Sequence, residues 1–231
     1  MGVKELSRRL LFYKQREVQE AIVNSAKGRE VGVMFGKNGF GKRPDVLMYP
    51  NEVIQLVKKG VTSFHISEEK WEDPLQLSTD LTKNELDKLR KGWDLVLDID
   101  FPIWEFSKLT AHFFIMALKE HGIKSVTCKY SGNKGFHIGV PFKAFPEKVG
   151  GLKLKNWFPD GPKRITKYLL DYITNITQDM IKEEKGKIIF DNKFSYSIEE
   201  LSDKLNIDVE NLTYKSKCIK CNNFRKEKLG F

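Results

Sequence analysis

Trp93-Asp94-Leu95-Val96-Leu97-Asp98-Ile99-Asp100 is the stretch that decides how this chain folds. Leu95, Leu97 and Ile99 alternate with Asp94, Val96, Asp98 and Asp100, the period of two that marks a strand with one buried face. Side chains two residues apart leave a strand on the same side, so Asp98 and Asp100 share the face turned from the apolar set. Downstream, residues 105–121 place Phe106, Leu109, Phe113, Met116 and Ala117 at helical spacing, and Gly122 suits the C-terminal cap. Ser125–Tyr130 reads as a strand, Gly132-Asn133-Lys134-Gly135 as a turn, and Phe136–Val140 as the returning strand.

Upstream, residues 3–26 carry Leu6, Leu10, Tyr13, Ala21 and Ile22 in a loose helical pattern ended by Gly28. Arg29–Phe35 is expected as a strand with Glu30, Gly32 and Met34 on one face. A basic, turn-rich loop covers Gly36–Pro44, residues 51–59 read as a helix, and Thr62–Ser67 as a short strand. Pro162 opens a long helix expected over 163–185, with Ile165, Leu169, Tyr172, Ile173, Ile176 and Met180 on its apolar face. Lys187–Phe190 suits a strand, and Ser197-Ile198-Glu199-Glu200 has capping-box spacing before a short helix. Helices and strands interleave throughout, so the fold class is α/β. We divide the chain into an N-terminal α/β half (1–90), a half carrying the aspartates and the hairpin (91–195), and a helical, basic C-terminal segment (196–231).

The 231 residues are long enough for a real core, and 40% hydrophobic against 31% charged residues excludes a disordered chain. Net charge is +9, which favours a polyanionic partner such as nucleic acid through counterion release. A solvated lysine-rich surface is the other reading of the same charge. No apolar run reaches the length of a membrane span, and the N-terminus is amphipathic rather than a signal peptide. Three cysteines (Cys128, Cys218, Cys221) make no disulfide framework, so a reducing cytoplasm is expected.

Two carboxylates on one strand face can hold a pair of Mg²⁺ or Mn²⁺ ions, the hard cations that two-metal phosphoryl transfer uses. A solvated strand end is the plainer reading of the same pair. In Tyr130-Ser131-Gly132-Asn133-Lys134-Gly135-Phe136-His137, the glycines admit a phosphate close to the backbone. Lys134 supplies charge there, and Ser131 and His137 can donate hydrogen bonds. A hairpin with a solvated lysine is again the plainer reading.

The order of these motifs, an Asp-x-Asp strand, a helix, a strand, Ser-Gly-x-x-Gly-x-His and a strand, resembles the archaeo-eukaryotic primase superfamily. Within it, the resemblance is to the small catalytic subunit of archaeal and eukaryotic primases. It implies that Asp98 and Asp100 bind the catalytic metals, and that Ser131, Lys134 and His137 bind the incoming nucleotide's phosphates. Arg29-Glu30 is similar to the family's Arg-Glu-Phe-type signature, which adds Glu30 and the basic Arg43 to the nucleotide pocket. The resemblance covers about residues 29–141. It implies a primase-polymerase core with a mainly antiparallel sheet of RNA-recognition-motif type, flanked by helices. It also implies a single-stranded DNA template and nucleoside triphosphates as partners, with a primase large subunit as a further one.

The chain departs from the family pattern in places. Asn133 stands where many members carry a second arginine. The family's third motif supplies a further carboxylate; Asp191, after Ile188-Ile189-Phe190, is the candidate within the chain, and a position beyond Phe231 is the alternative. Cys218-Ile219-Lys220-Cys221 is half a zinc site, without other Cys or His ligands nearby. Gly36-Lys37-Asn38-Gly39-Phe40-Gly41-Lys42-Arg43 follows the Walker A pattern until Arg43 replaces its Ser/Thr, and Pro44 opposes a loop-to-helix junction. A basic hairpin touching template or triphosphate, or a plain Asn-Gly turn, is expected there instead. Ser197–Leu212 has a helix-turn-helix flavour and is read as an ordinary helical pair. The functional expectation is a template-directed nucleotidyltransferase. The alternative is a non-catalytic nucleic-acid-binding relative or an incomplete fragment.

Overall fold

The computed structural model describes residues 3–177, 180–190 and 194–206. The fold is mixed α/β, with seven α-helices and five small sheets of two or three strands among the described residues. The chain forms two compact units. The first comprises Met1–Leu97, Gly122–Thr127 and Ile138–Thr166; the second comprises Asp98–His121, Cys128–His137 and Lys167–Phe231.

The first unit opens with α1 (Val3–Tyr13) and α2 (Arg16–Ala26). The continuous helix expected over 3–26 is therefore broken at Lys14–Gln15. The buried Gln19 stabilises the break, because its Nε2 donates to the freed carbonyl of Tyr13 at 2.8 Å. Strand β1 (Val31–Met34) pairs antiparallel with β2 (Ser63–Ile66), and between them runs α3 (Pro50–Lys58). Pro50 sits in the first turn of α3, and Glu52 accepts from the Met48 and Tyr49 amides, which satisfies two donors at that end. Val23, Ala26, Val31, Val33, Leu47, Val53 and Val61 close a core between these helices and strands.

Next come β3 (Glu69–Trp71), α4 (Lys83–Leu89) and β4 (Arg90–Trp93), with β3 and β4 antiparallel. Arg90 is buried beneath this pair. Its guanidinium bonds Glu69 at 2.8 Å and Asp87, and lies over the rings of Trp71 and Phe158. Two short strands, β8 (Lys148–Val149) and β9 (Leu152–Lys153), lead to Leu154, whose carbonyl accepts from the buried Trp93 indole at 3.1 Å.

Strand β5 (Leu95–Asp100) alternates buried and exposed at every residue, as the sequence pattern requires. The helix α5 (Trp104–Glu120) follows, then β6 (Thr127–Tyr130) and β7 (Gly135–Val140). The three strands make one sheet in the order β5-β7-β6, so the last strand lies in the middle. Gly135 faces Ile99 and Asp100, while His137 lies beside Asp98, so β7 runs antiparallel to β5. The short turn between β6 and β7 makes that pair antiparallel as well.

Helix α6 (Asp160–Thr177) begins three residues before its expected start and ends well before Lys185. The segment read as its last two turns is instead β10 (Ile181–Glu184), which pairs antiparallel with β11 (Lys187–Phe190). Lys185 and Gly186 both take positive φ, 51° and 74°, in the tight turn that joins them. β12 (Phe194–Ser197) completes this sheet. Ser197 then accepts from the Glu200 amide at 3.1 Å and caps α7 (Ile198–Leu205). Phe106 of α5 packs on Phe190, Phe194 and Tyr196 within the second unit.

Asp94, just ahead of β5, is held by three donors: Arg29, Lys70 at 3.1 Å and the Phe142 amide at 2.9 Å. Partial burial pushes its carboxyl up, but these three together overcome that and hold it below the ordinary aspartate range. A carboxyl that titrates lower in the folded chain stabilises fully above its unfolded value, about 3.9, and loses that contribution as pH falls through the folded value. Asp94→Ala is expected to cost about 2 to 3 kcal/mol at neutral pH. Denaturant unfolding of both proteins should show the gap closing below about pH 4; a gap constant across that range would contradict the clamp.

Candidate functional site

Asp98 and Asp100 stand on the exposed face of β5 while Leu95, Leu97 and Ile99 are buried on the other. The Asp98 side chain is 71% exposed, against 20% for Asp94. Asp98 Oδ1 lies 3.3 Å from His137 Nε2, and Asp100 has no polar partner among the described residues. The three aspartates of this stretch thus divide. Asp94 is neutralised by cations, whereas Asp98 has only His137 beside it and Asp100 has no polar partner among the described residues.

The hairpin is positioned by glycine. A Cβ on Gly135 would lie 2.0 Å from the Ile99 carbonyl oxygen and 3.1 Å from Asp100 Cα, so only glycine lets β7 approach the end of β5 this closely. Gly132 takes φ +99°, which supplies the turn. Ser131 closes it twice: its amide donates to the Gly135 carbonyl at 2.9 Å, and its Oγ accepts from the Gly135 amide at 3.2 Å. The Ser131 hydroxyl hydrogen stays free to donate. Lys134 is exposed at the turn, with no carboxylate partner among the described residues.

Alternation carries this further than the motifs alone. The Ser131–Gly135 bond sets Lys129 opposite His137 and Thr127 opposite Gly139, and Thr127 Oγ1 does donate to the Gly139 carbonyl at 3.1 Å. One face therefore carries Asp98, His137 and Lys129 in a row across three strands, with Asp100, Gly135 and Ser131 in the row beside it. Lys129 was not singled out from the sequence; its place two residues before Ser131 on the hairpin was the available signal. Ser107 was missed too. It is fully buried, and its Oγ accepts from the Phe101 amide at 3.1 Å, fixing the chain that leaves Asp100.

Glu30 and Arg43 belong to the first unit and bind each other. The Arg43 guanidinium donates to both Glu30 oxygens at 2.7 Å, which holds it above the ordinary arginine range. The adjoining loop is a tight return: Gly36–Asn38 makes a 3₁₀ turn, the Gly41 amide donates to the Val33 carbonyl at 2.8 Å, and no helix starts before Pro50. The strand-to-helix junction of a Walker A loop is absent. His121 is occupied structurally by the Ala117 carbonyl and, at 2.8 Å, the Tyr168 hydroxyl. Asp191, Cys218 and Cys221 lie outside the described residues. Among the described residues, no group of three His, Cys, Asp or Glu side chains is gathered to hold a metal ion. No described helix is long and apolar enough to cross a membrane.

Among known proteins, no family model matches the chain. The uncharacterized protein MJECS07 of Methanocaldococcus jannaschii is 33% identical over 78 residues, a stretch that is 33% of this chain and 17% of that protein. The match thus spans about a sixth of the archaeal protein's length.

Gly135→Ala should drive the two strands apart, because the obstacle is backbone and not a movable side chain. A loss of about 2 to 3 kcal/mol is expected in denaturant unfolding. Gly132→Ala, with open space around its Cβ position, should cost only the positive-φ strain of about 1 kcal/mol. Equal effects of the two would refute the close approach.

Proposed function

We propose that the chain is the catalytic core of a primase-type polymerase, a template-directed nucleotidyltransferase acting on nucleoside triphosphates. The observation that carries this reading is the pair of exposed, unneutralised carboxylates, Asp98 and Asp100, beside a glycine turn bearing Ser131, Lys134 and His137. The topology supports it: β5 and β6 run in the same direction, joined by α5, with β7 inserted between them. That is the split β-α-β arrangement of ferredoxin-like and RNA-recognition-motif sheets.

Each residue has a definite part. Lys134 neutralises phosphate charge at the turn, and Ser131 and His137 donate to phosphate oxygens. His137 also orients Asp98 through their 3.3 Å contact. Asp98 and Asp100 fit a hard divalent cation by donor type and, among the described residues, by the lack of a lysine or arginine ion-paired to either. Such an ion, when bound, would activate the attacking 3′ hydroxyl and stabilise the leaving pyrophosphate. A two-ion clamp calls for a third carboxylate, for which Asp191 or a residue beyond Phe231 is the candidate. Single-stranded DNA is the template in this reading, and a primase large subunit is a further partner. Glu30 and Arg43 are the further nucleotide contacts that the resemblance implies, a role for which their mutual ion pair would have to open or be shared.

Asp98→Ala with Asp100→Ala is expected to abolish incorporation of labelled nucleotide on a single-stranded template in Mn²⁺. Extension that survives the double substitution would sink the mechanism. Extension absent from the wild-type chain, with oligonucleotide binding intact, would favour the non-catalytic nucleic-acid-binding relative.

A further inference from the structure

Beside the hairpin, on the face opposite Asp98, the second unit presents aromatic rings to solvent. Trp104, at the first position of α5, is 39% exposed and Tyr130, at the end of β6, is 52% exposed. Trp104 packs edge-on against Tyr130 at 5.4 Å and at a tilt on Phe136 at 5.0 Å. The Tyr130 hydroxyl donates to the Asn133 carbonyl in the turn, so its ring is held rather than free to rotate. A structural cluster would be expected to bury its indole, as Trp71 and Trp93 are buried elsewhere in the chain.

The surroundings are cationic. Lys108 lies one helical turn after Trp104 on the same face of α5, and Lys134 stands in the turn. Both are exposed, and neither is paired with a carboxylate among the described residues. The neighbouring Glu105 is engaged by the Tyr196 hydroxyl at 3.3 Å. Fixed, exposed rings interleaved with unpaired lysines are what a flexible, unpaired polynucleotide requires: a π-face for the base and positive charge for the backbone. A duplex has no free base faces to offer.

We propose that Trp104 and Tyr130 form a stacking platform for unpaired bases of a single-stranded nucleic acid, whose phosphates Lys108 and Lys134 engage. The platform rests on the polymerase reading for its ligand, since it would hold a stretch of single-stranded template on the face turned from the carboxylates, but it requires no carboxylate. The test is fluorescence anisotropy of the full chain with a labelled oligothymidylate and with a duplex of equal length. Trp104→Leu with Tyr130→Leu should weaken oligothymidylate binding roughly tenfold or more and leave the salt slope unchanged. Trp104→Phe and Tyr130→Phe keep the π-faces and should bind nearly as the wild type does. Lys108→Gln, which leaves the rings intact, should lower the salt slope by about one.

Circular dichroism confirms that each variant is folded. A folded Leu variant with unchanged affinity overturns the platform, as does equal affinity of the wild type for duplex. Self-association lost in the Leu variant while binding persists assigns the patch to a second copy and also overturns it. Asp98→Asn with Asp100→Asn should bind normally. Failed extension by the wild-type chain, with ring-dependent binding intact, therefore removes the polymerase reading and leaves the platform. Extension by the wild type with binding that the Leu variant does not weaken removes the platform alone.

Discussion

A strand can bury only alternate side chains, and the rest of the candidate site depends on how that constraint falls on β5. Leu95, Leu97 and Ile99 are buried, so Val96, Asp98 and Asp100 must face out. A slip of one residue would turn both carboxylates inward and three apolar side chains into water, a loss of several kcal/mol. Two features resist such a slip. Asp94 is tied to Arg29, Lys70 and the Phe142 amide before the strand begins, and Gly135 meets the Ile99 carbonyl where it ends. The carboxylates are thus placed by the burial of their neighbours and by anchors at both ends, rather than by partners of their own.

Among the described residues, their lack of any lysine or arginine partner distinguishes them physically. The chain neutralises its buried or half-buried charges with care: Arg90 has Glu69 and Asp87, Glu30 has Arg43, and Asp94 has two cations. Asp98 and Asp100 repel each other on one face with a single histidine nearby. Solvent exposure keeps that repulsion small, and an external cation would relieve it. The facing hairpin has the opposite sign, with Lys129 and Lys134 unpaired among the described residues. Separated charges of both signs on neighbouring strands suit a ligand that brings phosphate and a divalent cation together.

Much of this was legible in the chain. The period-two pattern located β5 and its two faces, and the glycine turn located the hairpin, because both signals are local. Other features escaped for lack of a local signal. Asp94 reads as a member of the same carboxylate face as Asp98 and Asp100; its partner Arg29 lies 65 residues away, so only the fold separates the structural aspartate from the other two. Ile181–Glu184 is rich in good helix formers and continues an apolar helical stripe, yet pairing with β11 makes it a strand. The Lys185-Gly186 turn was the sequence sign of that switch. The α1–α2 break depends on Gln19 reaching the Tyr13 carbonyl, an interaction that no periodicity records.

The spacing of the motifs follows from the sheet order. β7 lies between β5 and β6, so the hairpin reaches Asp98 only if the chain first returns along α5 and then runs forward in β6. The seventeen residues of α5 rise about 26 Å, enough to span back past a six-residue strand of about 20 Å. β6 then runs beside the position β7 will occupy, and the turn at Ser131–Lys134 delivers His137 against Asp98 and Gly135 against Asp100. A shorter helix would start β6 partway up the sheet and carry the turn beyond the aspartates. The interval of about thirty residues between the carboxylates and the hairpin is therefore a geometric requirement of placing the last strand in the centre, and it makes motif order more informative than either motif alone.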